Sequence, residues 1–173
     1  MFSVGDYMIY GINGVCLIED ICASPFDKKD TRTYYMLKPL GAVAGSVIYT
    51  PTDNEQGIMR PLMTREQAGD LIGLLPGIMP LEIPIEKMRR DIYRQTMQSC
   101  DPVQYVRLIK TVRRRRADML AQHKRLSETD SDFERNAKLS LYHELAVVLE
   151  KPYEERHPVK AKLSKEEKKA LKN

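Results

Sequence analysis

Acid–base chemistry calls for a histidine beside a carboxylate. The chain offers two such neighbours, His123 with Asp118 and His143 with Glu144. Neither pair sits in a recognisable catalytic motif, and histidines near carboxylates are common by chance on helix surfaces. There is no Gly-rich phosphate loop, no nucleophile elbow and no His-Glu-x-x-His. An enzyme is therefore disfavoured, and neither a small-molecule substrate nor a cofactor is expected. Cys16, Cys22 and Cys100 form no Cys-x-x-Cys pair, and with His123, His143 and His157 they show no zinc spacing. An odd cysteine count without a secretory signal argues against a disulfide scaffold and reads as ordinary thiols in a reducing compartment. Cys16 and Cys22 would share one face of a regular strand.

The remaining candidates are basic. Lys87, Arg90 and Arg94 follow i, i+3, i+7 and share a helix face, with Arg89 beside it. Arg113-Arg114-Arg115-Arg116 is the densest basic run, and at 100° per residue it surrounds a helix, so at least one member must sit near the packing side. Each set reads either as a phosphate-contacting surface, which releases condensed counterions, or as a solvated helix face. Net charge sharpens the contrast along the chain. Of 28 basic and 24 acidic residues, residues 1–74 hold six basic and nine acidic, leaving a mildly acidic front and a basic back. Different partners for the two halves follow from that split. No apolar run approaches a membrane span, and the start of the chain does not read as a signal peptide, so a cytoplasmic protein with no membrane contact is expected.

The elements that must position these residues change character midway. Tyr7 to Tyr10 and Val15 to Ile21 flank a Gly/Asn turn, Gly11-Ile12-Asn13-Gly14, which is a hairpin signal. Further strands are expected at Thr33 to Lys38, at Ser46, Val47, Ile48, Tyr49 and Thr50 (stopped by Pro51), and at Gly57 to Leu62. The Ser46–Thr50 strand could pair with a partner if it lies at a sheet edge; its pattern alone favours the sheet interior. Five short strands in about sixty residues point to a bent antiparallel sheet or small barrel. Thr64 and Gln67 form a capping box for a helix to about Leu74. Pro76, Gly77, Pro80 and Pro84 mark a linker over 75–84. Helices follow from Ile85 to Ser99, from an Asp101 cap and Pro102 to about Leu126, and from a Ser131/Glu134 box to about Glu150, ended by Pro152. The expectation is α+β: a sheet domain over 1–74, a helical domain over 85–157 packed as a small bundle, and a basic tail over 158–173.

The wording of the opening goes further than its physics. Phe2-Ser3-Val4-Gly5-Asp6, the following Tyr and apolar residues, and Gly14-Val15 resemble the start of the CarD/CdnL family of bacterial transcription regulators, a module shared with transcription-repair coupling factors. Tyr34-Tyr35, Pro51, Arg60, Leu126-Ser127, Ala137-Lys138 and Glu144-Leu145-Ala146 also fall where the family has like residues, and the chain resembles its clostridial type. The resemblance implies a Tudor-like first domain that binds the RNA polymerase β subunit by strand addition. It implies a helical second domain that contacts promoter DNA weakly, through backbone and minor groove, at the upstream edge of the transcription bubble and stabilises the open complex. By position, Ser46 to Thr50 match the polymerase-binding strand and Arg89-Arg90 the DNA-facing basic pair; Lys87, Arg94, Arg113 and Arg114 join them as candidate DNA contacts. Better-studied members place a Trp just before the basic pair, where this chain has Glu86 or Lys87, with Ile85 and Met88 as the nearby apolar side chains. A basic residue on the polymerase-facing strand of some members is Tyr49 here. The alternative is an adaptor that binds polymerase through the first domain and a second protein through its helices, without touching DNA.

Overall fold

The computed structural model describes residues 2–27, 29–43, 45–53 and 59–150. Gly57-Ile58, Pro152 and the Lys-rich tail at 158–173 lie outside the described residues. Strands β1 (Tyr7–Tyr10), β2 (Val15–Ala23), β3 (Thr33–Pro39), β4 (Ile48–Pro51) and β5 (Met59–Pro61) form one antiparallel sheet in the order β4-β3-β2-β1-β5. A single 3₁₀ turn at Gly11–Asn13 joins β1 to β2, and Gly14 closes it at φ +69°, a conformation that glycine adopts without a Cβ penalty. Met8, Cys16, Ile18, Tyr35 and Leu37 bury one face of the sheet, with Ile48 and Met59 packed against them. The register steps from Ile18↔Leu37 to Asp20↔Met36, so Glu19 is an extra residue in β2. Such a bulge bends the strand and reverses its facing. Cys16 is therefore buried while Cys22 lies on the other face, against the expectation for an unbroken strand.

Four helices follow: α1 (Arg65–Leu74), α2 (Arg89–Gln98, entered by a 3₁₀ turn at Glu86–Met88), α3 (Pro102–Ala121) and α4 (Glu128–Val148). The capping box of α1 is present in both directions, with Thr64 Oγ1 accepting from the Gln67 N–H and Gln67 Oε1 from the Thr64 N–H. Asp101 caps α3 by accepting from the Val103 N–H at 2.8 Å, and Pro102 opens it. This helix stops at Ala121 rather than near Leu126 because His123 takes φ +54° and the Lys124 N–H turns back to the Met119 carbonyl at 2.8 Å. Ser127 and Ser131 both have cap-like surroundings. Ser127 is the cap, accepting from the Asp130 N–H, so α4 starts one turn earlier than expected and Ser131 and Glu134 lie within it.

The helical core draws on every helix: Ala68 and Leu71 of α1, Tyr93 and Met97 of α2, Tyr105, Leu108 and Val112 of α3, and Ala137, Leu141 and Leu145 of α4. Leu75 is buried with them, and Ile78, Leu81 and Ile83 pack on the same core. The Leu81 N–H donates to Thr111 Oγ1 at 2.8 Å. The stretch over 75–84, a linker by composition, is thus laid along α3, and α1 packs with the helices that follow it. Full burial of each such leucine stabilises the fold by about 2 kcal/mol, enough to hold an irregular, proline-rich segment in place.

Candidate functional site

Two regions answer to the sequence-derived candidates. The first is the sheet edge at β4. Among the described residues this strand is hydrogen-bonded on one side only, to β3, in the register Leu37↔Ile48, Met36↔Tyr49, Tyr35↔Thr50 and Tyr34↔Pro51. The strand begins at Ile48. Ser46 and Val47 precede it in a turn, where the Ser46 N–H donates to the Val43 carbonyl at 3.0 Å. The Thr52 N–H donates to the Thr33 carbonyl at 2.9 Å, which fixes the alternation. Residues Thr50 and Ile48 then aim their main-chain groups at β3, and Tyr49 and Pro51 aim theirs at the open edge. Pro51 is the last residue of the strand, and its missing N–H falls on the side away from β3, where no ladder bond is lost. Side chains of Ile48 and Thr50 lie on the core face; Tyr49, Tyr34 and Met36 share the opposite face.

That opposite face is capped by the β2–β3 loop. Ser24 Oγ accepts from the Phe26 and Asp27 N–H groups, and Asp27 Oδ1 accepts from the Lys29 N–H. The arch sets Phe26 edge-on to Tyr34 (centroids 6.1 Å apart) and to Tyr49 (5.7 Å). Tyr34 Oη donates to Asp30 at 2.8 Å, and Arg32 clasps the same carboxylate through Nε and NH2. The Arg32 guanidinium holds the Asp30 carboxyl well below the usual carboxylate range.

The second region is the basic helices, which divide sharply. Asp130 is fully buried, and Arg89 Nε and Arg115 Nε approach its two oxygens at 2.9 and 3.1 Å. Ser127 Oγ donates to it as well, at 2.6 Å. Glu86 bridges the same two arginines from outside. Glu134 is similarly surrounded by Arg116, Lys138 and Arg113. Burial pushes its carboxyl up, but hydrogen bonds from Lys138 and Arg116 outweigh this and hold it below the ordinary value. Arg89 and Arg113, expected at a DNA surface, are therefore engaged with internal acids. Lys87, Arg90, Arg94 and Arg114 are exposed, Arg94 with a weak partner in Asp91 at 3.3 Å. Ile85 and Met88, about half exposed, flank Lys87.

Sequence reasoning missed Arg60 and Glu144 as a pair. Eighty-four residues apart, they join β5 to α4 by two parallel bonds of 2.6 and 2.8 Å. Arg60 Nε also donates to the Cys100 carbonyl at 2.7 Å, and the Met63 N–H donates to Glu144 Oε1. No local spacing signals such a contact. It removes Glu144 from any acid–base role with His143, whose own imidazole is buried and pushed down in pKa by that burial. His123 is exposed at the end of α3. No helix among the described residues is long and apolar enough to cross a membrane.

Residues 2–63 match the family model described as the CarD-like/TRCF RID domain, which spans the whole sheet from before β1 to just past β5. No curated protein matches the chain.

Proposed function

From the CarD-like RNA polymerase-interacting domain that residues 2–63 form, we propose a non-enzymatic transcription regulator that bridges polymerase and promoter DNA. The β4 edge adds to a strand of the polymerase β subunit, with the outward N–H and C=O of Tyr49 supplying main-chain bonds. The exposed Lys87, Arg90, Arg94 and Arg114 face the DNA backbone near the upstream edge of the bubble, with Ile85 and Met88 as the apolar side chains nearest the groove. Contact there stabilises the open complex. Affinity for free DNA is weak and falls with salt, and docking on polymerase raises the local concentration of the basic helices. The observation that carries this reading is an RNA polymerase-interacting domain whose β4 edge is unpaired among the described residues.

The test uses the full chain and purified polymerase core. Tyr49→Pro deletes the outward donor while leaving the bonds of Ile48 and Thr50 to β3. Loss of capture with unchanged circular dichroism supports strand addition; full capture would refute it. In a ternary complex, retention of salt-sensitive promoter affinity after replacing Lys87, Arg90 and Arg94 by Ala would favour an adaptor that does not touch DNA.

A further inference from the structure

The register of β4 dictates where a partner's side chains must go. A strand hydrogen-bonded to the outward groups of Tyr49 places the residue opposite Tyr49 on the same sheet face as the Tyr49 ring. That face is where the loop arch holds Phe26 against Tyr49 and Tyr34. Phe26 is 73% exposed, although the arch below it is built by four hydrogen bonds to the Ser24, Asp27 and Asp30 side chains. A large aromatic ring set in solvent beside a strand edge that is unpaired among the described residues offers apolar contact area to a partner.

The chemistry of the patch selects its occupant. Both phenol groups are already used: Tyr34 Oη by Asp30, and Tyr49 Oη by a contact to Met36 Sδ at 3.5 Å. A cation already lies over the Tyr34 ring, where the Arg32 carbon sits 5.7 Å from the centroid. The side-chain surface beside the edge is therefore mainly ring carbon, with both phenol hydroxyls engaged and Arg32 already over the Tyr34 ring. We propose that Phe26 and Tyr49 form a clamp for one large apolar side chain of the polymerase strand added to β4, and that this clamp sets partner choice and register. Main-chain pairing alone tolerates slippage along an edge, and a single apolar anchor on one face removes it, because a one-residue slip carries that side chain to the other face.

This inference rests on the strand-addition reading, so the experiment separates the two. Full-length wild type, Phe26→Ala, Phe26→Leu, Tyr49→Ala and Tyr49→Pro are titrated against polymerase core at low and high salt, with thermal melts of each. The clamp predicts that Phe26→Ala weakens binding roughly tenfold, as expected for loss of a buried aromatic anchor. Phe26→Leu should retain most of the affinity, the melting temperature should not move, and the loss should be the same at both salt concentrations. If Phe26→Ala binds as wild type, the clamp is overturned; strand addition still stands if Tyr49→Pro abolishes binding while Tyr49→Ala, which removes the same ring but keeps the N–H, does not. A Phe26→Ala loss that vanishes at high salt would overturn the apolar occupant. If neither Phe26→Ala nor Tyr49→Pro changes affinity, both readings fail together.

Discussion

At the scale of single residues, charge here does two kinds of work, and burial separates them. Glu144 has no exposed surface and accepts from both arms of Arg60 and from the Met63 N–H. A carboxylate taken out of water is tolerable only when its attraction and its hydrogen bonds offset the desolvation. Removing its charge strands the Arg60 guanidinium, whose side chain is only 26% exposed. Glu144→Gln is expected to cost about 3 kcal/mol, read as a lower urea midpoint at unchanged slope. Gln keeps the shape, so the loss reports the ion pair and not a cavity. Arg60 stands on β5 opposite Ile9, on the sheet face that meets the helices. This residue, matched by resemblance to the family's sequence, has a structural reason to be an arginine: the planar fork meets one carboxylate with two bonds and still reaches the Cys100 carbonyl.

Elements were legible where a local signal decides them. The hairpin turn at Gly11–Asn13, the Thr64/Gln67 box and the Asp101-Pro102 start of α3 all depend on residues within a few positions of one another. Boundaries were missed where two local signals compete, as with Ser127 and Ser131, or where one residue departs from the usual backbone, as His123 does. The β4 edge and the bulge at Glu19 depend on strand partners that no periodicity encodes. The basic helices were half legible. Spacing grouped Lys87, Arg90 and Arg94 on one face, but only the fold reveals that Asp130, on α4, captures Arg89 from α2 and Arg115 from α3. That capture predicts opposite phenotypes for neighbours. Arg89→Ala removes one of the two guanidinium groups that face the buried Asp130 carboxylate, leaving Arg115 and Ser127, and should destabilise the fold by about 2 kcal/mol, measured by thermal melting. Arg90→Ala should leave the melt unchanged and reduce the salt slope of ternary-complex DNA affinity by about one. Equal melts for both variants would mean that the Asp130 cluster does not hold the helices.

For the whole molecule, the question is whether sheet and helices move as one body. Ile9 and Val15 of the sheet are buried with Cys100, against Leu62 and Val147, and the Arg60–Glu144 pair lies across the same junction. The proposed bridging works only if this junction fixes the angle between the β4 edge and the basic helices, because slack would lower the effective concentration that docking provides. Gly14 gives direct access to it. A Cβ at this position would lie 3.3 Å from Ser140 Oγ on α4, and the glycine's φ of +69° already disfavours any side chain. Gly14→Ala therefore combines a backbone cost of about 1–3 kcal/mol with a contact between sheet and helix. The double variant Gly14→Ala with Ser140→Ala separates them: trimming Ser140 relieves the contact and leaves the backbone cost. Ser140 is almost fully buried, so Ser140→Ala alone must complete the cycle. A coupling of about 0.5 kcal/mol or more in urea unfolding is expected for residues in contact. Strict additivity would mean that Gly14 and Ser140 are not neighbours in solution and that the helices are tethered to the sheet without being docked on it. In that case the Lys87, Arg90 and Arg94 face would reach DNA by tether length alone, and Glu144→Gln would leave the sheet's own stability untouched.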